Sequence, residues 1–241
     1  MNTLPVWSSK KVVRAAFVAR GNELSGQMVR KVTGLPTASD EIQALEANRI
    51  LVSELLDLPY IELSMGKQVH GSHIAYTEKS QIVHNTDGLV TDKTGLAIAV
   101  LVADCAAVLL ADRVNKIIAA IHAGWRGAVA GIVPKAVHKM IMLGAEQDLI
   151  EAYISPCISK DRFEVGEEVA SRFPSRFVDR SKPKPHVDLP LFVRSELKKT
   201  GIYTSNVVMD NRCTFENSDL LHSYRRDGEQ SGRMMAVVTL V

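Results

Sequence analysis

Residues 96–121 read LAIAVLVADCAAVLLADRVNKIIAAI, three apolar runs separated by short polar breaks. The runs at 96–102, 106–111 and 117–121 have the length of buried strands, and each is continuous rather than alternating. The polar segment 112–116 between the last two runs has turn composition, so we expect 106–121 to form a hairpin. This stretch predicts a sheet at the centre of the fold.

Helical patterns lie on both sides of this centre. Residues 37–58 predict a helix with Thr37 or Ser39 as its cap, acidic residues in the first turn, and one apolar face formed by Ile42, Leu45, Val52, Leu55 and Leu56. Further helices are expected at 131–143, 167–173 and 190–200, and late strands at 207–209 and 235–240. The order is not a strict alternation of strand and helix, which favours an α+β fold with a mixed sheet and packed helices.

The composition is that of one ordinary globular domain. Of the 241 residues, 46% are hydrophobic and 23% charged, and the formal charge of +2 gives no broad basic field for nucleic acid. The Pro-rich segment 180–186 is too short to separate domains, so 1–241 is expected to be a single catalytic domain. Asp104 interrupts the longest apolar stretch, which is too short to span a membrane. Three cysteines and the lack of a signal-peptide pattern at 1–7 predict a cytoplasmic protein.

Three short blocks carry the residues best suited to chemistry. They contain His70, Cys105 and His122, which are 35 and 17 residues apart, too far for a local zinc-finger loop. Two imidazoles and a thiolate suit a soft divalent metal, and three protein ligands leave one coordination position open for catalysis. The alternatives are a loop histidine at position 70 and, for Cys105, either an inert buried thiol or a nucleophile activated by a histidine.

The neighbours of these blocks suggest two further roles. A carboxylate at Asp104, inside an apolar run, needs a partner, and a metal-ligating histidine would provide one. Gly124 and Gly127 flank Arg126 where a helix begins, an arrangement that favours an anion such as phosphate. Arginines also cluster near the C-terminus, at positions 212, 225, 226 and 233. Cys157 and Cys213 have no local metal spacing and are interpreted as structural.

Several of these blocks occur in the order typical of one family. QVHG at 68–71, ADC at 103–105, HAGWRG at 122–127, FEVGEEV at 163–169 and SYRRDG at 223–228 resemble the proteins once called multicopper polyphenol oxidases. That family is now regarded as zinc-containing purine nucleoside phosphorylases with adenosine deaminase activity, and some bacterial members are described as peptidoglycan editing factors. The resemblance implies a laccase-domain architecture, Zn²⁺ rather than Cu²⁺, and His70, Cys105 and His122 as metal-binding and catalytic residues.

The same resemblance implies a function. We expect phosphorolysis of adenosine, inosine or guanosine, with adenosine deamination and methylthioadenosine phosphorolysis as accompanying activities. Purine nucleoside and phosphate are the expected partners, and Gln68, Arg126, Arg225 and Arg226 the expected substrate-binding residues. The alternatives are an amidase acting on a peptidoglycan precursor at the same His/Cys/His site, a copper-dependent polyphenol oxidase, and a partner-binding protein without catalysis. Seven histidines in the chain supply too few clusters for multicopper chemistry.

The chain departs from the family pattern in places. The segment after Arg20 lacks the usual glycine-rich loop, residues 155–159 are poorer in glycine, and His222 stands where an aromatic residue is common. These differences are expected to affect substrate preference rather than metal binding.

Overall fold

The computed structural model of the chain describes residues 3–4, 6, 12–20 and 38–241. Its strands are, in chain order, β1 (Thr3–Leu4), β2 (Val13–Val18), β3 (Glu62–Lys67), β4 (Ile74–Tyr76), β5 (Gln81–His84), β6 (Gly88–Thr91), β7 (Leu96–Val102), β8 (Ala106–Asp112), β9 (Ile117–Ala123), β10 (Ile150–Ile154), β11 (Val178–Asp179), β12 (His186–Val187), β13 (Val207–Met209) and β14 (Met234–Leu240). The helices are α1 (Ala38–Leu55), α2 (Trp125–Val129), α3 (Ile132–Met142), α4 (Glu167–Ala170), α5 (Leu189–Lys199) and α6 (Tyr224–Asp227).

Two six-stranded mixed sheets form the framework. The first has the order β1-β2-β14-β7-β3-β5 and the second β13-β10-β8-β9-β6-β4, while β11 and β12 form a separate pair. The first sheet contains parallel pairs at β3–β7 and β3–β5, and the second at β4–β6 and β10–β13; the remaining pairs are antiparallel. The architecture is therefore α+β, as the sequence predicts.

The sheets pack face to face, and helices cover their outer faces. Ile98 and Val100 of β7 belong to the same buried cluster as Leu109 of β8, which fills the space between the sheets. Alternate residues of β7 pack against α1 on the opposite face, and alternate residues of β8 pack against α3 and α5. Both central strands are thus covered on both sides. This explains why their sequences are continuously apolar rather than alternating.

The predicted hairpin is confirmed, with Ala111 opposite Ile118 and Asp112 opposite Ile117 across β8 and β9. The preceding strand, β7, belongs to the other sheet. The chain therefore crosses from one sheet to the other at residues 103–105, and this crossing carries Cys105. The sequence pattern, three similar apolar runs in succession, did not reveal this change of sheet.

The helices lie close to their predicted positions, with three differences. Ile42, assigned to the buried face of the first helix, is 68% exposed, whereas Val52 and Leu56 are buried. The helix expected at 167–173 is regular only over Glu167–Ala170, and an additional short helix, Trp125–Val129, starts directly after Gly124. Thr37 lies outside the described residues. Among the residues described, no helix has the length and apolar character needed to cross a membrane.

Candidate active site

The structure brings His70, Cys105 and His122 together. One potential ligand atom from each residue lies within 4.8 Å of the others. The two imidazole rings meet edge to face with their centroids 4.8 Å apart. His122 is buried, Cys105 partly buried and His70 exposed, so the group lies at the surface end of the space between the sheets. Three residues distant in sequence therefore form one cluster of nitrogen and sulfur donors.

Each of these potential ligands lies near the end of a strand. His70 follows β3, and its φ of 60° places it in the left-handed region. Gln68 fixes this exit from the strand, since its side-chain amide donates to the Leu101 carbonyl (2.8 Å) and accepts from the Leu101 N–H (2.7 Å). His122 lies near the end of β9, on the strand face that Ile118 and Ala120 direct toward the first sheet.

A buried carboxylate that the sequence reasoning missed connects two of these residues. Asp87, just before β6, is fully buried and lies 2.8 Å from Nδ1 of His122. Its oxygens also accept the backbone N–H groups of Val69, His70 and Gly71 at 2.8–3.1 Å. In the sequence, Asp87 belongs to an Asn-Thr-Asp-Gly segment that resembles an ordinary turn, so no local signal marks it.

Asp104 does not have the partner expected for it. Its carboxylate accepts from the Thr214 hydroxyl (2.5 Å) and from the backbone N–H of Arg225 (2.6 Å) rather than from a histidine. The backbone of Asp104 is also unusual, with φ at 81°. The predicted contact between Asp104 and a metal-ligating histidine is therefore wrong, because the residue faces the C-terminal segment while Asp87 occupies the position next to His122.

The electrostatics of the cluster favour charged forms. Burial raises the pKa of the Cys105 thiol, but His122 and His70 more than offset this and lower the pKa below the ordinary value. Burial likewise lowers the pKa of His122, and the Cys105 thiolate and the Asp87 carboxylate reverse the effect and raise it. For Asp87, burial acts against ionisation, yet His122 and the backbone donors hold the pKa below its usual range. The shifts in pKa therefore favour the thiolate form of Cys105 and the carboxylate form of Asp87 beside His122.

At two positions of the 122–127 block, close contacts explain why the residue is glycine. A Cβ on Gly124 would lie 3.0 Å from the Cys105 Sγ and 3.3 Å from a ring carbon of His70. A Cβ on Gly127 would lie 2.4 Å from the carbonyl oxygen of Gly71. Gly124 therefore preserves space among the three donor side chains, and Gly127 allows α2 to approach the loop that carries His70.

These features fit a bound metal ion. The donor set of two imidazoles and one thiolate is one that zinc accepts, and space beside the donors is kept free at Gly124. The hydrogen bond between Asp87 and Nδ1 of His122 leaves the other ring nitrogen, Nε2, for the metal. Within the described residues, this is the single group of three or more His, Cys, Asp or Glu side chains with such geometry.

A cavity of about 590 Å³ opens onto the cluster. Its wall contains three arginines, each lying over an aromatic ring that also lines the cavity. The guanidinium-to-ring-centroid distances are 4.4 Å for Arg126 over Trp125, 5.7 Å for Arg225 over Phe163 and 5.7 Å for Arg233 over Tyr224. The one carboxylate in the lining, Asp104, already has hydrogen-bond donors on both oxygens. The cavity therefore offers cations and flat apolar faces together.

The four predicted substrate-binding residues do not all line the cavity. Gln68, Arg126 and Arg225 line the cavity, but Arg226 does not. The guanidinium of Arg226 donates to Asp227 and to three backbone carbonyls, those of Thr214, Phe215 and Leu221. Its charge is therefore used to hold the C-terminal segment together. Arg233, which the sequence reasoning noted without assigning to the site, lines the cavity instead.

Other residues noted in the sequence lie around the site. Cys157 and Cys213 are buried free thiols, and their backbones pair in an isolated β-bridge, in accord with a structural role. Arg20 donates to the Ser218 carbonyl at 2.9 Å and does not line the cavity. The divergent segment 21–25 that follows it lies outside the described residues.

The chain is similar over most of its length to known proteins. The chain is 34% identical over 236 residues to a purine nucleoside phosphorylase of Corynebacterium glutamicum, covering 95% of this chain and 94% of the relative. A purine nucleoside phosphorylase of Streptomyces coelicolor is 36% identical, with coverage of 83% and 84%. The crystal structure of the hypothetical protein YfiH of Bacillus licheniformis superposes with a TM-score of 0.81 at 25% identity, covering 95% of this chain and 93% of that one.

The overall architecture is thus the laccase-domain fold that the sequence motifs imply. The family model described as multi-copper polyphenol oxidoreductase laccase matches residues 14–241, nearly the whole chain. The chain belongs to this laccase-domain family.

Proposed function

We propose that the protein is a zinc-dependent purine nucleoside phosphorylase, which converts adenosine, inosine or guanosine and phosphate into the free base and ribose 1-phosphate. The observation that carries this proposal is the cavity beside the His/Cys/His cluster, where Arg126, Arg225 and Arg233 each pair with an aromatic ring. A nucleoside needs flat apolar surfaces for its base, and phosphate needs cations. The names of the two similar enzymes support the same substrate class.

The reaction assigns distinct tasks to these residues. A phosphate oxygen attacks C1′ of the ribose while the bond from C1′ to the base nitrogen breaks, and the base leaves with the bonding electrons and takes up a proton. The arginines hold the phosphate and keep it close to the ribose, which lowers the entropic barrier and balances charge in the transition state. Phe163 and Tyr224 provide surfaces on which the purine stacks.

The metal would be held by His70, Cys105 and His122. When bound, zinc would supply a Lewis acid at the edge of the cavity. Asp104 contributes by holding the backbone of Arg225 at 2.6 Å, which keeps this arginine beside the cavity. Arg225 itself also donates to the Glu164 carbonyl at 2.8 Å, so its position is fixed before substrate binds.

A direct assay tests the proposal. Purified protein, either loaded with zinc or stripped by a chelator, is incubated with adenosine, inosine or guanosine with and without phosphate, and products are separated by chromatography. We expect free base and ribose 1-phosphate only when both zinc and phosphate are present. Base release without phosphate would indicate a hydrolase, and no release from protein with full zinc content would overturn the proposal. Inosine formed from adenosine, and adenine formed from methylthioadenosine, would report the two accompanying activities.

One observation favours a second candidate function, an amidase acting on a peptidoglycan precursor. Asp87, His122 and Cys105 are arranged in the order carboxylate, imidazole and thiol, which resembles the triad of cysteine hydrolases. In that case Cys105 would attack an amide carbonyl and His122 would protonate the leaving amine. Amide hydrolysis by metal-free protein, lost in Cys105→Ser, would support this activity. A copper oxidase is less favoured, because the described residues contain one three-donor cluster rather than several.

A further inference from the structure

Asp87 lies behind the donor cluster and contacts two of its members. Oδ1 of Asp87 is 2.9 Å from the backbone nitrogen of His70 and 2.8 Å from Nδ1 of His122. Oδ2 accepts from the backbone nitrogens of Val69 at 3.1 Å and Gly71 at 2.8 Å. Four donors thus converge on one buried carboxylate, and they come from both ligand-bearing segments.

We propose that Asp87 is the positioning residue of the metal centre, which fixes the ring of His122 and the backbone of His70 in the geometry that binds metal. This inference rests on the zinc site of the proposed function but not on the phosphorolysis reaction. Asp87 faces away from the cavity and does not line it. It therefore acts through the two histidines rather than on the substrate.

The first part of the argument concerns the imidazole. Both oxygens of Asp87 already accept backbone N–H groups, so the carboxylate acts as an acceptor toward the ring as well, and neutral His122 carries its proton on Nδ1. Nε2 then carries the lone pair, and only a nitrogen with a free lone pair can bind a metal. A hydrogen bond from the ring to a carboxylate also makes the ligand nitrogen more basic. Asp87 consequently selects the tautomer and the orientation of His122.

The second part concerns the loop. His70 has a φ of 60°, a conformation that costs a non-glycine residue free energy and needs support from its surroundings. The three consecutive N–H groups at 69–71 point to the same carboxylate, which holds this turn of the backbone closed around Asp87. Without it, the side chain of His70, which is exposed, would have little to keep it at the cluster.

The test compares Asp87→Asn with a matched control, Asp112→Asn. Asp112 is also fully buried, and its carboxylate accepts from the backbone of Val114, Asn115 and Glu146 and from the Asn115 side chain. It is the last residue of β8, at the opposite end of that strand from Cys105. In each variant the new amide nitrogen is a donor facing other donors. Both variants should therefore lose stability in urea unfolding, but only Asp87→Asn should lose metal affinity.

Affinity is measured with zinc alone, by competition with a chromophoric chelator, and the geometry is measured with Co²⁺ alone, by its visible absorption. We expect Asp87→Asn to weaken zinc binding about 10- to 100-fold and to change the cobalt spectrum, as is typical when a carboxylate behind a metal-binding histidine is removed. Asp112→Asn should match wild type in both measurements. Equal zinc affinity in the two variants would overturn the proposal.

Wild-type protein provides a second measurement if Asp87→Asn does not fold. Long-range nitrogen–proton NMR spectra distinguish the two imidazole tautomers in the zinc-loaded protein. We expect the proton of His122 on Nδ1. A proton on Nε2 would contradict the role of Asp87, whatever the outcome of the nucleoside assay, because the tautomer is read without any turnover.

Discussion

Arg126 and Arg226 carry the same charge but have different surroundings. Arg226 is half-buried and donates to a carboxylate and to backbone carbonyls, whereas Arg126 lines the cavity, is exposed and lies over the Trp125 ring. Buried charge-assisted hydrogen bonds contribute to folding, while an exposed guanidinium beside a cavity is available to a ligand. The two residues should therefore respond differently to substitution.

We predict that Arg226→Met lowers stability by about 2–4 kcal/mol, since several carbonyls and Asp227 lose their donor. Arg126→Met should leave the melting temperature within about 1 °C but raise the KM for phosphate about 10-fold or more, the effect of losing one charge-assisted contact. Thermal unfolding and initial-rate kinetics at varied phosphate check both expectations. An unstable Arg126→Met, or an unchanged KM for phosphate, would contradict the assignment of Arg126 to the anion.

His222 should make stability depend on pH. Burial, together with the positive charges of Arg20, Arg226 and Arg233, lowers its pKa to about 4. In the unfolded chain the pKa is about 6.5. As pH falls from 6.5 toward 4, the unfolded chain therefore binds a proton that the folded protein does not, and the folded state loses stability. The loss is about 1–2 kcal/mol once solvent screening of this partly exposed group is allowed for.

Urea unfolding of wild type and His222→Phe at pH 7, 6 and 5 measures this effect. Phenylalanine keeps an aromatic ring next to Gly232, whose backbone lies against the His222 ring. The variant should lose less stability than wild type between pH 7 and pH 5. Parallel curves for the two proteins would show that another group titrates in this range.

At the scale of elements, α2 connects Arg126 in the cavity wall to the cluster of His70, Cys105 and His122. The helix starts at Trp125, directly after Gly124, and Gly127 packs on the carbonyl of Gly71 in the loop of His70. Helix and loop approach closely only because residue 127 has no side chain. The spacing of His70 from the other donors therefore depends on this contact between two elements.

We predict that Gly127→Ala lowers both stability and zinc affinity, because a Cβ at 2.4 Å from the Gly71 oxygen forces the loop away from α2. Gly144→Ala is the control. There a Cβ meets no atom within 4 Å, but the φ of 105° is unfavourable for alanine. This control should lose about 1–2 kcal/mol of stability and keep the zinc affinity of wild type. Calorimetric titration with zinc and thermal unfolding separate the two effects.

At the scale of the whole molecule, the three residues of the His/Cys/His cluster come from both sheets. His70 follows a strand of the first sheet, His122 lies in a strand of the second, and Cys105 lies at the crossing between them. A metal ion held by all three would cross-link the sheets at one end of their shared core. The single domain expected over 1–241 stays a prediction, which the unfolding behaviour can test.

We predict one cooperative unfolding transition, and a melting temperature about 5–10 °C lower after chelation than in excess zinc. Zinc at about 100 times its dissociation constant stabilises the folded state by about 2.7 kcal/mol, and each kcal/mol shifts the melting temperature of a domain this size by about 2–4 °C. Cys105→Ala should remove the shift. Two separate transitions would contradict the single domain, and a shift retained in Cys105→Ala would remove this residue from the ligand set.

The sequence determined the central strands, most of the helices and the residues of the donor cluster. Continuous apolar runs are enough to mark strands covered on both faces, and the hairpin at 106–121 required only local turn chemistry. The motif blocks at 68–71, 103–105 and 122–127 named the histidines and the cysteine that the structure brings together. The strands and helices follow from local composition and spacing, whereas the choice of Cys105 as a donor rather than a buried thiol came from the resemblance of these blocks to one family.

Tertiary structure alone decided which carboxylate supports His122 and which arginines face the cavity. The pairing of β6 with β9 sets Gly88 opposite Ile121, and this register brings Asp87 next to His122 although 35 residues separate them. Asp104, adjacent to Cys105 in sequence, turns toward Thr214 instead. Hydrogen-bond partners of buried groups are set by strand register and by which sheet a strand joins, and neither can be read from a single segment of sequence.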